Sequence, residues 1–457
     1  MKKSMEAALN QLRFALKDSE YVGRVFLAGG IVRDELMGLE SKDIDLVVEG
    51  NINAGMECAI FIAHTLGCRQ PVLFPTFGTA KLSIGDYEIE FVAARSEKYR
   101  ANDRKPSVES GTLKADAFRR DFTVNSLFKD LFTGEIFDLT EMGLKDMDHK
   151  ILRTTSEPNY ILAEDPLRIM RAVRFCVKYN FDMFIDLHWA MAANADKLNN
   201  ISKERVQDEL NKILVLNNPS RAFRMMQQFG ILKVILPELE ALVGVTQNHY
   251  HKDDAFNHTL AVLDATPPEL TRRLGALFHD CGKALTRTEK EGKVQFLNHA
   301  FVGAELAEVA LKRLKYPNDR TAKVKTVVKY HMDLKFAGPV ASDLKDKSLR
   351  KFVFRVGDPE VLEVMLDVMH ADNVSHSEAH SMPEQMPEVR RRLALMDVNA
   401  VLNTKSPLDG HQLMALGVNG KMLGEMKRRL TDKVLEQPDF SVKQSESLVK
   451  SVMATKK

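Results

Sequence analysis

The segment FLAGGIVRDELMGLESKDIDLVV, Phe26 to Val48, constrains the fold more than any other stretch. Phe26–Ala28 reads as the end of a strand and Gly29-Gly30 as a tight turn where backbone can approach a phosphate. Ile31–Met37 reads as a short helix whose N-terminus offers N–H groups to an anion. A second apolar strand, Ile44–Val48, begins inside the triplet Asp43-Ile44-Asp45. Side chains alternate along a strand, so Asp43 and Asp45 point to the same side. Paired carboxylates at this spacing can share hard divalent cations with a nucleoside triphosphate, as in in-line phosphoryl transfer. An Asp-x-Asp alone is most often two solvated turn residues. The glycine turn with Arg33-Asp34 ahead of it, and the apolar strand behind, give this one its chemical meaning.

At 457 residues the chain exceeds a single core and predicts two to four domains. No apolar run approaches the ~20 residues of a membrane span. The N-terminal MKKSMEAALNQLRFALKD has lysines but no apolar core or cleavage site, so an amphipathic helix is expected, not a signal peptide. Cys58, Cys68, Cys176 and Cys281 form no CxxC pair, which argues against a disulfide framework or zinc knuckle and for a reducing cytoplasm. A formal net charge of only +2 leaves any nucleic-acid surface to local clustering.

The expected fold class is α+β: a small mixed-sheet head, then an elongated all-helical remainder. Thr79–Ile84 and Tyr87–Ala93 alternate around Gly85-Asp86 and predict a hairpin, Ile136–Leu139 predicts a further strand, and from about Pro158 the periodicity is helical. Glu90, on the second hairpin strand, is a candidate third head carboxylate. Gly244–Asp254 is polar and His-rich and reads as a junction, with His249 and His251 as junction residues. The expected domains are residues 1–150, 151–245, 246–385 and 386–457.

Two further segments carry charge in useful places. In RRDFTVNSLF, Arg119 and Arg120 can neutralise a triphosphate, while Asp121 and Asn125, four apart on one helical face, can bond ribose hydroxyls. Alone, the segment reads as a capped surface helix; beside the first motif the nucleotide reading prevails. In EDPLRIMRAVRFCVKYNF, Asp165 and Pro166 read as an N-cap and first helical proline. Arg168, Arg171, Arg174 and Lys178 then form a cationic stripe, which by itself is an ordinary solvated face. Asp165 and Arg168, one turn apart, permit something sharper: a carboxylate accepting from an exocyclic amine and a guanidinium donating to a ring nitrogen. Cytosine and adenine present that edge, whereas guanine and uracil present a carbonyl beside an N–H.

GG-x-VRD with D-x-D, RRD with its downstream Asn, and ED-x-x-R, in this order, resemble the class II tRNA nucleotidyltransferases, the CCA-adding enzymes that share their head with bacterial poly(A) polymerases. FDLTEMGLKDM (Phe137–Met147) and ISKERVQDELNKIL (Ile201–Leu214) resemble that family's hinge and neck-helix motifs. The resemblance implies a nucleotidyltransferase head followed by helical neck, body and tail that hold the tRNA 3′ end, with CTP and ATP as substrates and Mg2+ in the head. It implies metal binding by Asp43 and Asp45, nucleotide binding by Gly29, Gly30, Arg33, Arg119, Arg120, Asp121, Asn125, Arg171 and Arg174, and base reading by Asp165 and Arg168. In the family a flexible loop joins elements matching Arg95 and Arg119, and the basic segment between them here is expected to be that loop. The alternatives are a poly(A) polymerase, whose short basic-pair signature is not evident after Asp45, and an RNA-binding protein with an inactive head.

The second half carries an independent constellation: His258, His279-Asp280, His299, His331 and Asp372. This order resembles the HD-domain metal phosphohydrolases. Imidazoles and carboxylates in such a set fix one or two divalent metals, Mg2+ or a transition metal, which activate water. Lys283, just past the pair, is placed to touch a phosphate. The resemblance implies hydrolysis of phosphate esters, 2′,3′-cyclic phosphates among them. PLDGHQLMALGVNGKMLGEM (Pro407–Met426) resembles the tail of the same families, and Lys421, Lys427, Arg428 and Arg429 read equally as phosphate contacts or a solvated face. The oligomeric state stays open.

Overall fold

The structure, a computed structural model, describes residues 3–41, 43–98, 107–247, 253–335 and 337–455. His249 and His251 lie outside the described residues. The chain divides into two compact units, residues 1–202 with 228–234, and residues 203–227 with 235–457.

The first unit is built on a seven-stranded mixed sheet. Its strands are β1 (Val25–Ala28), β2 (Ile44–Val48), β3 (Val72–Phe74), β4 (Thr79–Ile84), β5 (Tyr87–Ala93), β8 (Leu127–Asp130) and β9 (Ile136–Asp138). A separate pair, β6 (Arg95–Lys98) and β7 (Ser107–Ser110), stands beside it. The sheet order is β3-β4-β5-β2-β1-β8-β9, antiparallel except where β2 meets β5. Alternation fixes two faces. Val25 and Leu27 of β1, with Ile44, Leu46 and Val48 of β2, join Leu9 and Leu12 of the N-terminal helix and Ala59 and Ile62 of the Ala54–Leu66 helix in one core. Phe26, Ala28 and Val47 face the other way, into a smaller cluster with Ala117 and Phe128. Asp45, two residues before Val47, shares that second face.

The expected hairpin at Gly85-Asp86 and the strand at Ile136 are present. The segment after Arg95 departs from the expected loop. Its described residues form the β6–β7 pair and the helix Leu113–Phe118, capped by the Thr112 side chain accepting from the Ala115 N–H. Helices follow to Ser202, among them Leu167–Tyr179, which ends where Asn180 turns left-handed at φ 53°.

The second unit is mainly helical among its described residues. Helices Ala255–Ala265, Leu270–Phe278, His299–Arg313, Asn318–Tyr330 and Pro359–Val374 carry the histidine-rich segments, and a short hairpin, Arg287–Lys290 with Lys293–Phe296, precedes His299. Near the C-terminus, helices Gly410–Ala415, Lys421–Glu436 and Val442–Ala454 pack around Leu413, Met426, Leu430 and Val449. No helix among the described residues is long and apolar enough to cross a membrane.

Candidate functional site

In the first unit the strand register gathers the charged groups. Asp45 on β2 lies directly beside Glu90 on β5, and Glu90 lies opposite Lys81 on β4. Asp43 ends the loop immediately before β2, and both aspartates are exposed. Although its side chain reaches solvent, Asp45 has protein crowded about it. That crowding, with the charges of Glu90 and Asp43 against the pull of Arg120, pushes its carboxyl up to about 6. Gly29, at φ +69°, precedes the helix Gly30–Leu36, and a Cβ built there would meet Arg120 Nη1 at 2.9 Å. Only glycine therefore accommodates both this backbone and the cation beside it. The turn, Arg120 and the carboxylate row converge on one end of β1 and β2. Three carboxylates gathered at this end of the sheet suit a hard divalent cation with oxygen ligands.

Asp45 also allows a test of folding. A carboxyl raised from 3.8 to about 6 in the folded state costs stability above that range and nothing below about pH 4. Asp45→Asn is therefore expected to raise the melting temperature at pH 7 in metal-free buffer and leave it unchanged near pH 4. A lower melting temperature at pH 7 would show that the aspartate is supported rather than crowded.

The arginines named from sequence are largely held by protein groups. Arg119 and Arg120 fork onto the buried Asp116, with Arg119 Nη2 at 2.5 Å from Oδ1 and Arg120 Nη2 at 2.9 Å from Oδ2. Burial opposes charge on Asp116, but the two guanidiniums hold its carboxyl below the usual range. Asp121 and Asn125 do meet, Nδ2 donating to Oδ1 at 2.9 Å, but across a 3-10 turn, Thr123–Asn125, and both are buried. The expected exposed helical face is thus corrected: Phe122 and Val124 are fully buried and draw the segment into the core. Arg171 donates to Asp121 Oδ2 at 2.8 Å, and Arg33 bonds Asn125, Asp34 and the Tyr179 hydroxyl. A continuous buried network therefore ties Arg33 to the Leu167–Tyr179 helix, whose cationic stripe is not simply a solvated face. Arg174 lies over the Phe175 ring, 4.6 Å from its centroid. Asp165 Oδ1 accepts from the Leu167 N–H at 3.2 Å, but the expected cap is corrected: Pro166 takes the N-cap position without a side-chain bond, and Asp165 closes the preceding helix, Pro158–Glu164. Arg168 donates to Glu164 at 2.7 Å and to the Ile161 and Arg119 carbonyls at 3.1 and 2.8 Å. Asp116 and Tyr179 were not singled out from sequence; Asp116 lies just ahead of the RRD motif, and only the fold brings Tyr179 to Arg33.

In the second unit the six histidine and aspartate positions converge in a buried cluster. His279, His299 and His331 each face a backbone carbonyl three residues earlier through Nδ1, at 2.7, 2.8 and 2.7 Å. That contact assigns the proton to Nδ1 and leaves the Nε2 lone pair inward. These three Nε2 atoms are buried and have no hydrogen-bond partner, an expensive arrangement unless a metal takes them. They lie 3.2, 3.4 and 3.8 Å from the Asp280 carboxylate, and His258 Nε2 lies 3.0 Å from Asp372. His258, His279 and Asp280 form one set with metal-ligand spacing, and Asp280, His299 and His331 another. Asp280 is common to both, which suits a carboxylate bridging two ions. Burial lowers His258 and His299 and, with the charges of His299 and His279, takes His331 down to about 3. Burial opposes the charge on Asp280, but Lys283 and His279 overcome it and hold the carboxyl well below the usual range. Burial also opposes charge on His279, but the Asp280 carboxylate raises it, so the neutral imidazoles that divalent metals require beside ionised carboxylates are favoured at His258, His299 and His331.

Known proteins with these features form one group. Residues 25–153 match the poly A polymerase head domain, 180–242 the probable RNA and SrmB- binding site of polymerase A, and 256–377 the HD domain. The chain is 31% identical over 427 residues to the multifunctional CCA protein of Xanthomonas campestris pv. campestris, covering 88% of this chain and 95% of that protein. It belongs to the CCA-adding tRNA nucleotidyltransferase and poly(A) polymerase family. A CC-adding tRNA nucleotidyltransferase of Thermus thermophilus is 31% identical over 362 residues, covering 77% of this chain and 76% of that relative. In fold, the Bacillus stearothermophilus CCA-adding enzyme in complex with CTP aligns with a TM-score of 0.67 at 19% identity, covering 100% of this chain and 99% of that one. The Thermotoga maritima CCA-adding enzyme complexed with tRNA_CCA aligns at 0.57 and 20% identity, covering 100% and 97%. The mixed-sheet head and helical HD region expected of the family are present in this chain.

Proposed function

We propose that the chain is a template-independent nucleotidyltransferase that builds or repairs the CCA end of tRNA from CTP and ATP, joined to a metal-dependent HD phosphohydrolase. Residues 1–150 would be the head, 151–245 the neck and body, 246–385 the HD domain and 386–457 the tail. The observation that carries the first activity is the row of Asp43, Asp45 and Glu90 beside the Gly29 turn and Arg120. Relatives named for CCA and CC addition favour this over polyadenylation, and an intact Asp43–Asp45 pair argues against an inactive head.

In this reading the tRNA 3′-hydroxyl attacks the α-phosphate and pyrophosphate leaves. Asp43 and Asp45, with Glu90 as a third carboxylate, would hold Mg2+, which would supply charge stabilisation to the reacting phosphates. Gly29 and Gly30 let the backbone approach the triphosphate, and Arg120 sits where its charge forms. The Asp116 fork aims Arg119 and Arg120, and the network of Arg33, Asp121, Asn125 and Arg171 fixes the turn against the base-reading helix. Arg174 would contact the incoming nucleotide. No side chain need be a strong base, because positioning and charge stabilisation lower the barrier. Buried cysteines outside any disulfide, Cys58, Cys176 and Cys281, fit a cytoplasmic protein.

Asp165 and Arg168 read the base, and Glu164 sets the guanidinium through its 2.7 Å bond. Removing one partner should cost about 1–3 kcal/mol of recognition, roughly ten- to a hundredfold in selectivity. The test is the ratio of kcat/KM for CTP to that for UTP on tRNA lacking its CCA end. Asp165→Ala should lower this ratio more than it lowers the rate with CTP. Arg171→Ala should mainly weaken nucleotide binding. An unchanged ratio in both Asp165→Ala and Arg168→Ala would assign base reading to other groups.

The hydrolytic reading rests on the orphaned, buried Nε2 atoms around Asp280. His258, His279, Asp280, His299, His331 and Asp372 would hold Mg2+ or a divalent transition metal, whose Lewis acidity would promote attack of water on a phosphate ester, cyclic phosphates included.

A further inference from the structure

The helix Leu167–Tyr179 meets the rest of its unit along one side. At 3.6 residues per turn, Arg168, Arg171, Phe175 and Tyr179 fall within about a quarter of its circumference. Near the base-reading end, Arg168 donates to the Arg119 carbonyl and Arg171 to Asp121. At the far end, Tyr179 makes a different kind of tie. Its hydroxyl accepts from Arg33 Nη2 and donates to Asp34 Oδ1 at 3.1 Å. Arg33 and Asp34 are themselves paired, with Nε and Nη2 of the guanidinium 2.8 and 2.7 Å from Oδ1. One hydroxyl therefore spans a buried ion pair. Burial pushes its pKa up, so it stays a donor. The ring is fixed as well. It stacks on Phe175 at 5.6 Å with an interplanar angle of 14°, and the Arg33 guanidinium lies over it at 4.3 Å.

We propose that Tyr179 is a positioning residue for nucleotide selection, locking the far end of the base-reading helix to the helix that follows the glycine turn. The proposal rests on the reading of Asp165 and Arg168 as the base-reading pair. That pair discriminates by mismatched hydrogen bonds, and a mismatch costs only what the site cannot relax. A reader free to tilt re-forms some of its bonds to the wrong edge. Arg168 and Tyr179 lie about 16 Å apart along the helix axis, at ~1.5 Å per residue. Ties at the near end alone would leave that length as a lever. Tyr179 closes it on Arg33 and Asp34, which belong to the helix Gly30–Leu36. The turn that receives the triphosphate and the helix that reads the base then form one rigid frame, and base and α-phosphate are presented at a fixed separation. Tyr179 acts through Asp165 and Arg168, not on the substrate.

The experiment introduces Tyr179→Phe into the full chain, in the parent and in the Asp165→Ala background, and assays addition to tRNA lacking its CCA end. Phenylalanine keeps the stacked ring and removes only the hydroxyl, and thermal melting confirms that each variant is folded at the assay temperature. The quantity read is the ratio of kcat/KM for CTP to that for UTP. In the parent, Tyr179→Phe should lower this ratio about tenfold, the equivalent of one hydrogen bond. In the Asp165→Ala background the further change should be about threefold or less, because the hydroxyl acts through the pair. A ratio unchanged by Tyr179→Phe, while Asp165→Ala and Arg168→Ala lower it, overturns the proposal and leaves base reading standing. An equal drop in both backgrounds also overturns it, because the hydroxyl would then act independently of Asp165. If Asp165→Ala and Arg168→Ala both leave the ratio unchanged, the base-reading assignment falls and the proposal with it.

Discussion

Asp43→Ala and Asp45→Ala are each expected to abolish nucleotide addition, a loss of about a thousandfold or more, as removing several kcal/mol of transition-state stabilisation implies. Folding should survive. Both side chains are exposed, and the apolar neighbours of Asp45 on β2, Ile44 and Leu46, supply the packing. Circular dichroism and thermal melting of the variants check the fold, and primer extension on tRNA lacking its CCA end checks the activity. Near-normal addition by both variants would remove these residues from the mechanism.

The second large effect lies in the other unit. His279→Ala combined with Asp280→Asn is expected to eliminate metal-dependent hydrolysis of phosphate monoesters and 2′,3′-cyclic phosphates while sparing nucleotide addition. The asparagine is chosen because it keeps an acceptor oxygen for Lys283, which lies 2.6 Å from the Asp280 carboxylate, although the charge pairing is lost. Hydrolysis is assayed with Mg2+, Mn2+, Ni2+ and Co2+ in turn. A wild-type protein inactive with all four would make the cluster structural. Loss of nucleotide addition in the variant would contradict the independence of the two sites.

What could be read in the sequence were features written in consecutive residues. The glycine turn, the Asp-x-Asp at a strand entrance and the hairpin at Gly85-Asp86 are local patterns, and the strands formed where alternation placed them. The proposed HD ligands were legible because each sits in a short motif. What escaped were partnerships made by the fold. Nothing in RRDFTVNSLF reveals that Asp116 would take both arginines, or that Phe122 and Val124 would sink the segment into the core as a 3-10 turn. Tyr179 meets Arg33 across 146 positions, and Lys335 meets His376 across 41. Glu90 was legible as a strand carboxylate, but its place beside Asp45 depends on the parallel pairing of β2 with β5, which alternation cannot set. In the segment after Arg95, read as a loop, polar composition hides the β6–β7 pairing, while residues 99–106 lie outside the described residues.

The most direct measurement of the central claim is the product made from a tRNA trimmed of its last three nucleotides. CTP, ATP or both are supplied with Mg2+, and the products are resolved at single-nucleotide resolution and sequenced. The account predicts two additions with CTP alone, three with CTP and ATP together, in the order C, C, A, and then arrest. A long run of adenylates from ATP, or no extension under any combination, would contradict it.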